Sequence, residues 1–152
     1  AFAKSDATED EIRSTAKMAQ AEDFIERLED KYETIIGERG VGLSGGQKQR
    51  LSLARAMIKD VPIFILDDVT SAVDMETEKK IQEELKTIKD KKTNFIIAHR
   101  ISSLKHSDLI LVLNEGEVIE RGSHEELLEM KGYYYRIFET QYGDFSKEKE
   151  VV

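Results

Sequence analysis

The sequence predicts an α/β fold with a partly parallel sheet. Three observations carry that expectation: strand-like and helix-like segments alternate through the middle of the chain, the helical segments hold their apolar residues on one face, and three of them open with a capping box. The 152 residues are enough for a real core, and 39% apolar with 36% charged residues describe a soluble globular class. The net charge of −8, from 23 Lys and Arg against 31 Asp and Glu, argues against a duplex DNA binder with a broad basic surface. With no cysteine there is neither a disulfide framework nor a thiolate metal site. No secretory signal is visible, and the longest apolar runs, "IFIL" and "LILVL", fall far short of the roughly 20 residues a membrane-spanning helix needs.

Taken in order, Thr8 and Glu11 form the first capping box, and Ile12, Ala16 and Ala19 follow at helical spacing, so a helix is expected from about Glu9 to Gln20. A second helical stretch, Glu22 to Leu28, carries Phe24, Ile25 and Leu28 on one face. "IIGERGVG" then breaks the pattern with closely spaced glycines and reads as a shaped loop. From Gly45 a third helix places Leu51, Ala54 and Ile58 on one side, with Ser44 at its N-cap and Gln47 completing the second box. Pro62 opens "IFIL", which reads as a fully buried strand ending on Asp67 and Asp68. Glu76 to Lys89 is an amphipathic helix through Ile81, Leu85 and Ile88, and "NFIIA" is the next strand, ending at His99. A short turn at Ile101 to Lys105 leads into "LILVLNEGEVIER", a hairpin with its turn at "NEG". Ser123 and Glu126 open the last helical part, "HEELLEM" and "YYYRIFETQ", and the charged end "SKEKEVV" is expected to fray.

Three places carry the chemistry. At the first turn of a helix the backbone N–H groups lack intrahelical partners and the macrodipole is positive, so an anion is favoured there. Ser44, Gly45, Gly46 and Gln47 therefore form a candidate phosphate site, with bare backbone plus a hydroxyl and an amide as donors. A glycine-rich turn before an ordinary helix is the alternative. Asp67 and Asp68 stand at the carboxyl end of a strand, where open α/β sheets bind ligands and where acids hold Mg²⁺ through water and substrate phosphates. A helix cap or surface turn is the alternative there. His99, at the end of the neighbouring strand, belongs either to the same rim or to the structural histidines.

In this order and at these intervals the elements resemble the ATP-binding-cassette (ABC) ATPases. Leu43 to Gln47, "LSGGQ", is similar to the family signature, Ile63 to Asp68 to the Walker B motif, Ser71 to Asp74, "SAVD", to the D-loop, and His99 to the switch histidine. "GERG" at Gly37 to Gly40 resembles the loop by which the family's exporters touch their transmembrane domains. The resemblance covers nearly the whole chain and implies a P-loop NTPase-like ABC fold, with a helical part over residues 1–58, an α/β core over 59–128 and a C-terminal helix and tail over 129–152. It implies ATP and Mg²⁺ as cofactors and head-to-tail pairing with a second cassette. Each ATP then lies between one partner's phosphate loop and the other's signature helix. Ser44, Gly45, Gly46, Gln47 and Asp74 become cofactor-binding residues, Asp67 the Mg²⁺ ligand, and Asp68 and His99 catalytic. The implied place is the cytoplasmic face of a membrane, with no nucleic-acid partner.

Two departures qualify the resemblance. None of the nine glycines is followed by lysine, so the Gly-Lys-Ser/Thr phosphate loop is absent and the chain is expected to be the C-terminal part of a cassette, inactive alone. Asp68 stands where the family usually has glutamate. The lost methylene shortens the reach by roughly 1.5 Å, and misplacement on that scale can cost about 100-fold in rate. This resembles the degenerate site of a heterodimeric bacterial multidrug exporter, in which one subunit lends an intact signature to a different partner. Two alternatives stay open: a soluble ABC-type ATPase of DNA repair, chromosome condensation or translation, and an interaction module that binds no nucleotide.

Overall fold

Capping boxes and apolar faces set where the helices begin and which side they bury. The computed structural model describes residues 4–37, 40, 42–59, 61–89 and 92–143. The charged end "SKEKEVV" and the central Glu38 and Arg39 of "GERG" lie outside the described residues. The chain divides into two compact units, residues 1–97 and 98–152.

In the first unit, helix α1 (Glu9–Met18) starts on the reciprocal Thr8–Glu11 box. It stops two residues earlier than the periodicity predicts, because Gln20 adopts a left-handed φ of 55°. Helix α2 (Glu22–Ile25) is also shorter than expected: the chain beyond it tightens into turns, with Arg27 N–H donating to the Phe24 carbonyl at 3.3 Å and Leu28 N–H to the Ile25 carbonyl at 3.0 Å. A single 3₁₀ turn, Lys31–Glu33, follows. Gly40 and Gly42 then take φ of 67° and 93°, a conformation that side chains with a Cβ resist, and this shapes the approach to helix α3 (Gly45–Met57). Strands β1 (Ile63–Asp67) and β2 (Thr93–Ile97), joined through helix α4 (Met75–Lys89), run parallel with Ile63 opposite Thr93 and Asp67 opposite Ile97.

Leu53 and Met57 of α3, Phe64 and Leu66 of β1, Val73, and Ile81 of α4 form one core; Ala16, Phe24 and Ile25 form another, with Leu51 packed against it. Full burial of a Leu or Phe side chain contributes about 1.5–3 kcal/mol. One expectation fails here. β1 is not buried on both faces: Phe64 and Leu66 point into the core, whereas Ile63 and Ile65 are 55% and 70% exposed. Phe95 and Ile97 of β2 are also bare on the side chains' accessible face, at 57% and 54%. An apolar run fixes that a strand prefers cover on both sides; whether a second layer is supplied depends on elements distant in sequence.

The second unit holds strands β3 (Ile110–Asn114) and β4 (Glu117–Gly122), paired antiparallel with a register shift between Val112 and Leu113. Glu115 and Gly116 both have positive φ, 49° and 84°, the pattern of a tight hairpin turn. Helices α5 (His124–Met130) and α6 (Tyr133–Tyr142) cover the hairpin, and Ile101, Ile110, Val112, Leu127 and Tyr134 form their shared core. Ser123 and Glu126 cap α5 reciprocally, while the Glu120 carboxylate accepts the N–H groups of Tyr133 and Tyr134 that open α6.

Candidate functional site

At the start of α3 the local hydrogen bonds decide what is left for a ligand. Ser44 Oγ accepts the Gln47 N–H at 3.2 Å, and Gln47 Oε1 accepts the Ser44 N–H at 2.8 Å. The box thus occupies two of the donors at this end and leaves the N–H groups of Gly45 and Gly46, which have no acceptor within the helix. The Ser44 hydroxyl hydrogen and the Gln47 side-chain amide remain able to donate outward. The result is a short row of donors at the positive end of a 13-residue helix dipole, suited to an anion.

The two glycines are not equivalent. A Cβ on Gly46 would sit 2.7 Å from the Ala72 carbonyl oxygen, whereas one on Gly45 would meet the Ala72 Cβ at an ordinary 3.5 Å. Gly46 therefore permits a close approach between α3 and the turn after β1. Gln49, one turn further along α3, fastens the same contact: its Nε2 donates to the Asp68 carbonyl at 3.2 Å and to Ser71 Oγ at 2.9 Å, and its Oε1 accepts the Ala72 N–H at 3.0 Å. The structure thus brings the "LSGGQ" helix, the end of β1 and the "SAVD" segment together. Sequence reasoning passed over Gln49, since a polar residue on a helix carries no pattern that reveals a partner 23 residues away.

Asp67 closes β1 with its side chain exposed, opposite Ile97. Asp68 follows in the left-handed region at φ 48°, which Asp tolerates better than most residues, and its N–H donates to the Ile97 carbonyl at 2.8 Å. Its backbone is held on both sides, the N–H by Ile97 and the carbonyl by Gln49 Nε2. Asp74 caps α4: one oxygen accepts the Thr77 N–H at 2.9 Å and the other the Thr77 hydroxyl at 2.8 Å. These bonds, the backbone one first, lower its pKa below the usual carboxylate value. Arg50 ties α3 to the end of α1, donating to the Gln20 carbonyl at 2.6 Å with its guanidinium 4.9 Å from the Phe24 ring centre.

His99 belongs to the second unit, where its side chain is exposed. Gln141 of α6 holds the segment: its Nε2 donates to the His99 carbonyl at 2.7 Å and its Oε1 accepts the Ile101 N–H at 3.0 Å. Among the described residues no three His, Cys, Asp or Glu side chains are clustered for a metal ion. The acids present fit a Mg²⁺ held through one carboxylate, water and substrate phosphates rather than in an all-protein cage.

The profile of the family described as "ABC transporter" matches residues 2–71. Across the whole chain, the ATP-dependent lipid A-core flippase of Legionella pneumophila (strain Paris) is 47% identical over 152 residues, covering 100% of this chain and 26% of that protein. The chain is thus similar to ABC transporter proteins, by that profile over residues 2–71 and by this relative over its full length. Another relative, the "Uncharacterized ABC transporter ATP-binding protein YknU" of Bacillus subtilis (strain 168), is 55% identical over 143 residues, 94% of this chain and 24% of its own length. Among solved structures, the chain of a bacterial Atm1-family ABC exporter with ATP bound superposes with a TM-score of 0.86 at 40% identity, over 93% of this chain and 25% of that one. The ABC ATPase fold follows from that agreement. The chain spans about a quarter of the length of the curated relatives it matches. Among the described residues no helix is long and apolar enough to cross a membrane.

Proposed function

We propose that this chain is the signature-bearing, C-terminal portion of the ATP-binding cassette of an exporter, coupling ATP binding and hydrolysis to transport across a membrane. The observation that carries the reading is the start of α3: a capping box that leaves the Gly45 and Gly46 N–H groups open, in a chain similar to ATP-dependent exporters. Residues 1–58 form the signature-bearing helical part, 59–128 the α/β core, and 129–152 the C-terminal helix and tail.

ATP is the substrate and supplies the phosphoryl group transferred to water. Ser44, Gly45, Gly46 and Gln47 bind the γ-phosphate of a nucleotide held mainly by the phosphate loop of a second cassette. Preorganised donors aimed at developing charge are the largest part of such catalysis. Asp67 takes the Mg²⁺ through oxygen ligands, Asp68 orients the attacking water, His99 holds the γ-phosphate side, and Asp74 belongs to the nucleotide contacts between cassettes. The shorter Asp68 makes this chain's own site the weak one, so the partner is a different subunit whose competent site this signature completes. The Gly37 to Gly40 loop contacts the exporter's transmembrane domains, at the cytoplasmic face of the membrane.

The test is Ser44→Arg in the assembled transporter. Filling the donor row should lower ATP hydrolysis at the partner's site by about 100-fold, the scale of losing such donors. Nucleotide affinity at the partner's phosphate loop should change far less. Unchanged hydrolysis would exclude a role for α3 in the site.

A further inference from the structure

Two segments that stand far apart in sequence, the start of α3 and the turn after β1, are joined through one side chain. Gln49 is half-buried, and its amide is used from both ends: Nε2 donates to the Asp68 carbonyl at 3.2 Å and to Ser71 Oγ at 2.9 Å, while Oε1 accepts the Ala72 N–H at 3.0 Å. Both amide hydrogens therefore have acceptors, and a carbonyl on one side with an N–H on the other fixes which way round the amide stands. The Ser71 hydroxyl donates in turn to the Asp68 carbonyl at 3.1 Å, which closes the set.

The surroundings leave this joint little slack. Gly46, on the preceding turn of α3, lies so near that a Cβ there would sit 2.7 Å from the Ala72 carbonyl oxygen. Arg50, next along the helix, donates from Nε to the Gly46 carbonyl at 3.3 Å and from Nη1 to the Gln20 carbonyl at 2.6 Å, which ties the same turn of α3 to the end of α1. On the far side the Asp68 N–H donates to the Ile97 carbonyl of β2 at 2.8 Å. The turn after β1 is thus held to the sheet by its first residue and to α3 by Gln49.

We propose that Gln49 is a positioning residue for ATP hydrolysis: it sets the placement of the Ser44–Gln47 donor row relative to the Ser71–Asp74 segment, so that both reach one partner-held nucleotide in register. This rests on the reading above in which those two segments serve the partner's site. Gln49 lies just beyond the donor row on α3 and acts through the segments it joins. Two segments that must meet one bound nucleotide work only at a fixed spacing, and a misplacement of about 1 Å can cost about 100-fold in rate.

The experiment uses the assembled transporter and follows single-turnover hydrolysis of Mg-ATP already bound, a rate constant that counts only folded, loaded sites, together with the affinity for Mg-ATP. Gln49→Met keeps the length of the side chain and removes the amide. It should lower the rate constant by about tenfold or more, within the scale of such misplacement, and leave affinity within about twofold, because the partner's phosphate loop still grips the nucleotide. Gln49→Glu keeps an acceptor for the Ala72 N–H but loses the two bonds donated by Nε2, and its rate should fall in between. A rate equal to that of the unaltered protein in either variant overturns the proposal. So does an affinity loss as large as the loss in rate, since Gln49 would then act on nucleotide binding. Ser44→Arg is measured beside them: if it leaves hydrolysis unchanged, the reading of α3 fails and this inference with it, whereas if it slows hydrolysis and Gln49→Met does not, this inference alone fails. If Gln49→Met does not assemble, Gln49→Glu decides by the same two readouts.

Discussion

Gly46 and Gly45 are neighbours with opposite requirements. Because a Cβ at Gly46 would press on the Ala72 carbonyl at 2.7 Å, Gly46→Ala should destabilise the first unit by about 1–3 kcal/mol, the usual cost of overpacking. Gly45→Ala meets only ordinary contact and gains helix propensity, so it should be neutral or stabilising by up to about 1 kcal/mol. Urea denaturation of the two variants compares them directly, and equal losses would refute the close-approach account. Asp68 makes a related case. Its left-handed backbone suits Asp and Asn, so Asp68→Asn should keep stability, whereas the β-branched Asp68→Val should lose about 1–3 kcal/mol. In the assembled transporter Asp68→Glu should raise hydrolysis at this chain's own site by up to about 100-fold, by restoring reach; an unchanged rate would remove the account of a degenerate site.

Helix starts were legible because their signals are local. Thr8 with Glu11, Ser44 with Gln47, and Ser123 with Glu126 stand three residues apart and bond reciprocally in the structure. The long-range fastenings were not legible: Gln141 reaches back 42 residues to His99, and Gln49 forward 19 to Asp68, with no periodicity to announce either. Gln141→Ala should accordingly leave α6 formed but speed hydrogen exchange at the Ile101 amide; unchanged exchange would show that the glutamine does not hold this segment. The pH response of the second unit follows from Tyr134. Burial pushes its pKa up to about 12, and its hydroxyl shares a 2.8 Å hydrogen bond with His124 Nδ1. A folded pKa above the unfolded value of about 10 means a contribution fully present at lower pH and lost as pH rises from about 10 toward 12. Melting followed across that window should show the loss, and Tyr134→Phe should flatten it.

At the scale of the molecule, the sequence pattern revealed the α/β class and the order of elements but misjudged the faces of β1. Alternation of buried and exposed positions in β1 comes from which layers are present, and "IFIL" looks the same with one layer or two. The bare face formed by Ile63, Ile65, Phe95 and Ile97 is an association liability in the isolated chain. Ile65→Lys should therefore reduce concentration-dependent light scattering with little loss of stability, and a large stability loss would mean that the side chain is already packed. The same incompleteness bears on the proposed nucleotide site: the first unit offers a donor row and two strand-end acids, and the sequence holds no Gly-Lys-Ser/Thr loop to grip phosphates. The most direct measurement is calorimetric titration of Mg-ATP into this chain and into the same chain joined to a segment carrying such a loop. Saturable binding by the joined form alone is the expected result. Tight binding to this chain by itself would contradict the account, because its donors would then suffice without a second source of phosphate contacts.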